Sequence, residues 1–166
     1  MKIPGRITFE GASTPVDDRR PVVLEPPLRG PGWVAFDGCC AELTSHRGAV
    51  MAFNGKAMAP ERFAIDFVQV DGEGRIFVGP VDRLSSYPSF GVPVHAAADG
   101  TVVQASDGAP EQVPEAQRVP MEIDAYVGNH VVIDMGDGNF ALYAHLETGT
   151  VAVKVGDRVK VGEVIG

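Results

Sequence analysis

The 166-residue sequence has little positive charge, two cysteines and no long apolar run. Its 22 acidic and 14 basic residues give a net charge of −8, which argues against a nucleic-acid or anionic-membrane surface because both need basic patches. No stretch approaches about 18 uninterrupted apolar residues, so we expect no membrane span. The N-terminus also lacks the apolar core of a secretory signal peptide. The sequence by itself therefore leaves the cellular compartment undecided.

A helical period of useful length is absent as well. Twenty glycines and thirteen prolines among many valines and isoleucines indicate short strands joined by turns. The strongest local signal is the stretch Gly128–Leu146, in which two apolar runs flank Gly136–Asn139. Asp-Gly predicts a hairpin there because tight turns need residues that accept positive φ. The sequence thus predicts an all-β, antiparallel fold.

Alternating apolar residues around repeated Asp-Gly turns predict a central sheet. Its expected strands lie within Phe63–Val70, Gly100–Val103, His130–Asp134 and Ala141–Leu146. Val92–Val103 predicts a further strand, turn and strand. Side-chain alternation puts Tyr143 and His145 on one face of the last strand.

Two parts of the chain differ in composition. Residues 1–61 are expected to be an N-terminal extension of short strands with a proline-rich covering arm, since prolines fix φ and donate no backbone hydrogen bond. Residues 62–166 are expected to form the main β-domain.

Three features could carry chemistry. Asp66 lies within an apolar strand, where a carboxylate is costly to bury unless it is paired or metal-bound. The simpler interpretation is an ion pair with Arg62 or another base, although Arg62, four residues away on a strand, would be separated from Asp66 by about 13 Å. His145 projects near the end of a strand, which is a rigid platform for a functional group.

The third feature is the adjacent pair Cys39 and Cys40, followed by His46. Adjacent cysteines rarely bond each other because the ring is too small for normal disulfide geometry. Two thiols, at least one of them a small buried hydrophobe, are the simpler interpretation. A soft-metal or redox site with His46 is the alternative, although the spacing fits no common zinc pattern.

Three segments together resemble the LytM-type (M23) zinc metallopeptidases. They read Gly-Val-Pro-Val-His-Ala-Ala-Ala-Asp-Gly-Thr-Val-Val, then Gly-Asn-His-Val-Val-Ile-Asp with Tyr-Ala-His-Leu, and finally Lys-Val-Gly-Asp-Arg-Val-Lys-Val-Gly-Glu-Val-Ile-Gly. The resemblance covers about residues 62–166 in the family's order.

The resemblance implies an antiparallel β-sandwich of the duplicated hybrid motif type and a Zn²⁺ cofactor. It implies hydrolysis of peptidoglycan cross-link peptides by zinc-activated water, in the extracellular space or the cell envelope. Asp66 corresponds to the aspartate of the family's His-x-x-x-Asp metal motif. His145 corresponds to the strand histidine of the catalytic centre. This correspondence, together with the side-chain alternation of each strand, predicts that Asp66 and His145 lie on the same face of the central sheet and open to one groove.

The sequence also departs from the family pattern. Arg62 stands where the first metal histidine is expected, and a guanidinium has no lone pair to donate. The sequence ends at Gly166, before the family's glycine-rich loop and His-x-His strand, so the domain is expected to be C-terminally incomplete. His46 is the candidate to replace the missing metal histidine. With at most two ligands, Asp66 and His46, the chain as written is expected to bind Zn²⁺ weakly and to be inactive.

Two other functions stay open at this point. A non-catalytic module of the same fold could bind the cell wall or a partner protein, and Arg62 favours it. Half of a biotinyl or lipoyl carrier domain would explain the repeated Val-Gly-Asp pattern, but it predicts a lysine on an exposed hairpin tip that the sequence lacks. An unpaired sheet edge is expected to favour homodimerisation.

Overall fold

The computed structural model describes residues 18–38, 44–53, 55–114 and 126–166. Cys39 and Cys40 lie outside the described residues. The elements are β1 (Trp33–Phe36), α1 (Ser45–Gly48), β2 (Met51–Phe53), β3 (Lys56–Met58), β4 (Asp66–Gln69), β5 (Gly100–Ser106), β6 (Asn129–Gly136), β7 (Asn139–Leu146) and β8 (Arg158–Val159). Leu84–Ser86 forms one 3₁₀ turn. Among the described residues no helix is long and apolar enough to cross a membrane.

The main sheet has four antiparallel strands in the order β7-β6-β5-β8. Strands β6 and β7, at one side of this sheet, form the hairpin predicted at Gly136–Asn139, which is confirmed. Asp137 and Gly138 form the turn with φ values of 53° and 75°, the positive values that a two-residue hairpin turn of the right twist requires. The strand-dominated, antiparallel fold confirms the predicted all-β class.

One face of this sheet carries the hydrophobic core. Along β6 every second residue is buried, namely Asn129, Val131 and Ile133. Val102 of β5 and Val159 of β8 pack on the same cluster. The period-2 burial is what a sheet with one covered face produces.

The predicted membership of the central sheet is wrong for Phe63–Val70. That segment becomes a strand only at Asp66, and β4 pairs with β1 in a separate two-stranded antiparallel sheet. The Ala64 amide donates to the Glu61 carbonyl at 2.8 Å, so the preceding residues turn instead of extending. The apolar pattern indicates a strand but does not predict which other strand pairs with it.

The hairpin predicted within Val92–Val103 is also wrong. Only the part from Gly100 onward is a strand, and Val94 bonds instead to the end of the chain. Its amide donates to the Gly166 carbonyl at 2.8 Å and its carbonyl accepts from Ile165 at 2.9 Å. Long-range pairing thus replaces the local pairing that the Asp-Gly signal predicts.

Residues of the proline-rich arm bond to this same segment. The Glu25 amide donates to the Ala97 carbonyl at 2.9 Å, and the His95 amide donates to the Pro27 carbonyl at 2.8 Å. The division at residues 61 and 62 stays a prediction.

The end of β7 breaks the predicted side-chain alternation. Asn129 pairs with Leu146 and Val131 with Tyr143, so β7 has one extra residue there and forms a bulge. His145 adopts φ = 60°, which is uncommon for a residue other than glycine. As a result Leu146 joins Tyr143 in the core while His145 is exposed. The prediction that Tyr143 and His145 share a face is therefore wrong.

We expect Tyr143→Phe to destabilise the fold by about 1–3 kcal/mol. The buried Ala97 amide donates to the Tyr143 hydroxyl at 2.7 Å, and removing that hydroxyl leaves a buried donor without a partner. Urea unfolding measures the loss. Tyr87→Phe is the matched control because its hydroxyl donates to the exposed Val81 carbonyl at 2.9 Å. Equal stability of the two variants would contradict the expectation.

A second prediction concerns acid stability. Asp107 accepts hydrogen bonds from the amides of Gly149 (2.8 Å) and Gly108 (2.7 Å). These bonds, above all the one from Gly149, hold the pKa of the Asp107 carboxyl below its ordinary value. A carboxyl with a lowered pKa stabilises the fold above its ordinary pKa, and this contribution is lost as the pH falls through the lowered value.

We therefore expect Asp107→Asn to lower the melting temperature at neutral pH and to match the unaltered chain well below about pH 4. Thermal melts across this range measure the difference. A deficit that stays constant with pH would show that the charge of Asp107 is not the cause.

Candidate metal centre

Three side chains converge beside the two-stranded sheet. The donor atoms of Asp37, His46 and Asp66 all lie within 4.8 Å of one another. Strand pairing explains the two carboxylates, because Phe36 of β1 is the register partner of Asp66 on β4. Asp37 is the next residue, and its φ of 47° turns the chain at that point. The site is thus built at the end of a strand pair.

The helix α1 delivers the imidazole. Thr44 caps this four-residue helix, since its hydroxyl accepts from the Arg47 amide at 3.3 Å. His46 is 7% exposed, whereas the Asp66 side chain is 57% exposed. The imidazole therefore lies beneath a carboxylate that faces solvent.

Both ring nitrogens of His46 have partners. Nδ1 lies 3.2 Å from the Ala64 carbonyl oxygen, and Nε2 lies 3.3 Å from Asp66 Oδ2. A carbonyl can only accept, so Nδ1 carries a proton and Nε2 faces the carboxylates. When the ring is neutral, its lone pair points into the cluster.

Charges around the ring favour its protonated form. Burial acts to lower the pKa of His46, but the hydrogen bond to Ala64 and the charges of Asp66, Glu61 and Asp37 outweigh it and raise the pKa above its usual value. A site that stabilises a cation at Nε2 is electrostatically suited to a metal ion at the same place.

The donor set fits Zn²⁺. Imidazole nitrogen and carboxylate oxygen are zinc ligands, and three protein ligands leave a position for water. The contact between Nδ1 and the Ala64 carbonyl is the kind of outer contact that fixes the tautomer of a metal-binding histidine. His46 and Asp37 would thus complete a set to which Asp66 contributes.

The sequence predicts His46 and Asp66 as candidate metal ligands, and the structure brings their side chains together. Asp37 was missed, and its only signal was the Asp-Gly turn after β1. The ion pair expected for Asp66 with Arg62 or another base is seen with the second kind of partner, since Asp66 contacts His46. The Arg62 guanidinium lies 5.8 Å from the centre of the Phe63 ring instead.

His145 lies on a different sheet from Asp66. The predicted placement of both residues on one sheet face is therefore wrong. The His145 amide donates to the Val127 carbonyl at 3.1 Å, and a Cβ on Gly128 would lie 3.7 Å from His145 Nδ1. Within residues 18–38, 44–53, 55–114 and 126–166, no hydrogen bond engages the His145 ring.

The four-stranded sheet and its exposed histidine lie in a segment that matches a known family. Residues 86–166 match the family model described as Peptidase family M23, which supports the M23-type peptidase domain that the sequence predicts. His145 lies inside the matched segment, and Asp37, His46 and Asp66 precede it. Searches of curated proteins and of solved structures each returned no match.

Zinc titration by calorimetry tests the cluster. We expect the chain to bind one Zn²⁺, and Asp37→Asn, His46→Gln and Asp66→Asn each to weaken binding at least about tenfold, the smaller effect seen when only an outer partner is lost. Asp137→Asn is the control for Asp37→Asn, because it also changes an exposed aspartate in a positive-φ turn.

A loss of affinity in the His46 and Asp66 variants but not in Asp37→Asn would leave the two-ligand site expected from the sequence. Equal affinity in all variants would exclude the cluster as the zinc site.

Proposed function

We propose that the domain is a metalloendopeptidase that hydrolyses amide bonds in peptidoglycan cross-link peptides. The convergence of His46 Nε2 on two carboxylates, with Nδ1 tied to the Ala64 carbonyl, carries this proposal. The M23 match supports a peptidase-type function. The resemblance to cell-wall enzymes supports the substrate and a location outside the cytoplasm.

Asp37, His46 and Asp66 would hold the ion. A bound Zn²⁺ would polarise the scissile carbonyl and lower the pKa of water. The Ala64 carbonyl keeps His46 in the tautomer that donates through Nε2. The exposed face of Asp66 leaves the cluster open to a substrate from solvent.

His145 is proposed as the proton-carrying group. Its ring is exposed and lies on a bulge with positive φ, a strained conformation of the kind that collects at active sites. An imidazole that makes no hydrogen bond to the described residues is available to take a proton from the attacking water and give one to the leaving amine.

The chain as written is proposed to bind metal and to hydrolyse slowly. The four histidines of the given sequence, His46, His95, His130 and His145, form no His-x-His pair, so the proposed mechanism uses a single catalytic histidine. The competing function is a non-catalytic module that binds the cell wall or a partner. Arg62 at the expected ligand position is the observation that favours this second function.

A phosphinic analogue of a cross-link peptide distinguishes the two functions. Its tetrahedral group mimics the transition state, which an enzyme binds more tightly than the substrate. We expect the zinc-loaded chain to bind the phosphinate at least about 100-fold more tightly than the matching amide peptide. This preference should vanish in Asp66→Asn and survive in the control Asp137→Asn.

Calorimetry gives both affinities, and mass spectrometry detects addition of water across the amide bond. Slow hydrolysis that is lost in His145→Gln while zinc affinity is unchanged would support the proposed role of His145. Equal, metal-independent binding of phosphinate and amide would instead identify a binding module.

A further inference from the structure

A hydrogen bond links the two parts of the proposed site. The Tyr126 hydroxyl donates to Glu61 Oε1 at 3.0 Å, across 65 positions of the sequence. Among the described strands, neither β1 nor β4 contacts any strand of the four-stranded sheet. This side-chain contact therefore joins the segment that leads to Asp66 with the turn that contacts His145.

On one side, Glu61 belongs to the turn that orients His46. Its carbonyl accepts from the Ala64 amide at 2.8 Å, and the Ala64 carbonyl in turn holds His46 Nδ1 at 3.2 Å. The backbone of Glu61 thus fixes the carbonyl that sets the imidazole tautomer. Its side chain is left to contact Tyr126.

On the other side, Tyr126 begins the turn that holds His145. The next residue, Val127, accepts the His145 amide at 3.1 Å. Gly128 faces the His145 ring, and its carbonyl lies 2.7 Å from Nδ1 of His130. The turn Tyr126–Gly128 is therefore fitted against the bulge that exposes His145.

We propose that Tyr126 is a positioning residue, which Glu61 anchors so that the turn Tyr126–Gly128 holds His145 in place relative to the metal cluster. The importance of this placement for hydrolysis rests on the proposed function. The placement itself is a property of the fold and can be measured without metal.

The chemistry of the contact suits an anchor. A hydrogen bond to a carboxylate is stronger than one between neutral groups. The bond to Glu61, then burial, then the charges of Glu61 and Asp66 raise the pKa of Tyr126, so its hydroxyl stays a donor at neutral pH. Tyr126 is 40% exposed, so its removal takes little apolar surface from the core.

Hydrogen exchange of the His145 amide tests the placement in the metal-free chain. We expect Tyr126→Phe to speed this exchange by about three- to tenfold, the factor that corresponds to one net hydrogen bond, with global stability unchanged. Glu61→Ala should have the same effect, and the double variant should add nothing further. Glu61→Gln keeps an acceptor oxygen and should stay near the unaltered rate, and Tyr87→Phe serves as the unrelated control.

Binding of Zn²⁺ and of the phosphinic peptide gives the second measurement. Zinc affinity should be unchanged in Tyr126→Phe. The preference of this variant for phosphinate over amide should fall about tenfold, because His145 is misplaced. Glu61→Gln should keep the preference of the unaltered chain. An unchanged His145 exchange rate in Tyr126→Phe would overturn the positioning role. Faster exchange in a chain that shows no phosphinate preference even when unaltered would confirm the positioning and refute the proposed function.

Discussion

The contact between His46 Nε2 and Asp66, with Nδ1 fixed by the Ala64 carbonyl, is the constraint on which the candidate site depends. It sets the tautomer, the ring orientation and the direction of the lone pair at once. Three pieces of chain must agree for it to form: the capped helix α1, the turn before β4, and the pairing of β4 with β1. A change in any one of them would move the imidazole away from the carboxylates.

The second constraint is the bulge at His145. A regular strand would put Leu146 in solvent and His145 on the core face, where an imidazole would need a buried partner. One extra residue in β7 reverses this, so that the core keeps Tyr143 and Leu146 while His145 reaches the surface. The hydrogen bond from the His145 amide to the Val127 carbonyl helps to offset the strain of the positive φ.

The strands that could be predicted from sequence are those whose partners are near in the chain. The hairpin of β6 and β7 is local, and its Asp137-Gly138 turn accepts only positive φ. The pairing of β1 with β4 joins residues about thirty positions apart, and no turn motif in the sequence predicts such a distant contact. For the same reason the bonds of Val94 to Ile165 and Gly166 went unforeseen.

The candidate site residues also differ in how well the sequence predicts them. Asp66 stood out because a carboxylate in an apolar strand demands a partner, and His145 because of the family motif around it. His46 was foreseen only as a loop histidine, since a four-residue helix is too short to show a period. Asp37 was missed because an aspartate before glycine is explained equally well by a turn.

Charge balance favours a metal at this cluster over a purely structural one. Without a metal, an imidazolium at His46 offsets only one of the two carboxylates, and its raised pKa records that demand. A divalent cation would offset both carboxylates while the imidazole became neutral and donated its lone pair. Asp37 raises the number of donor groups beside His46 and Asp66 to three, which is the number of protein ligands that the proposed metal site needs.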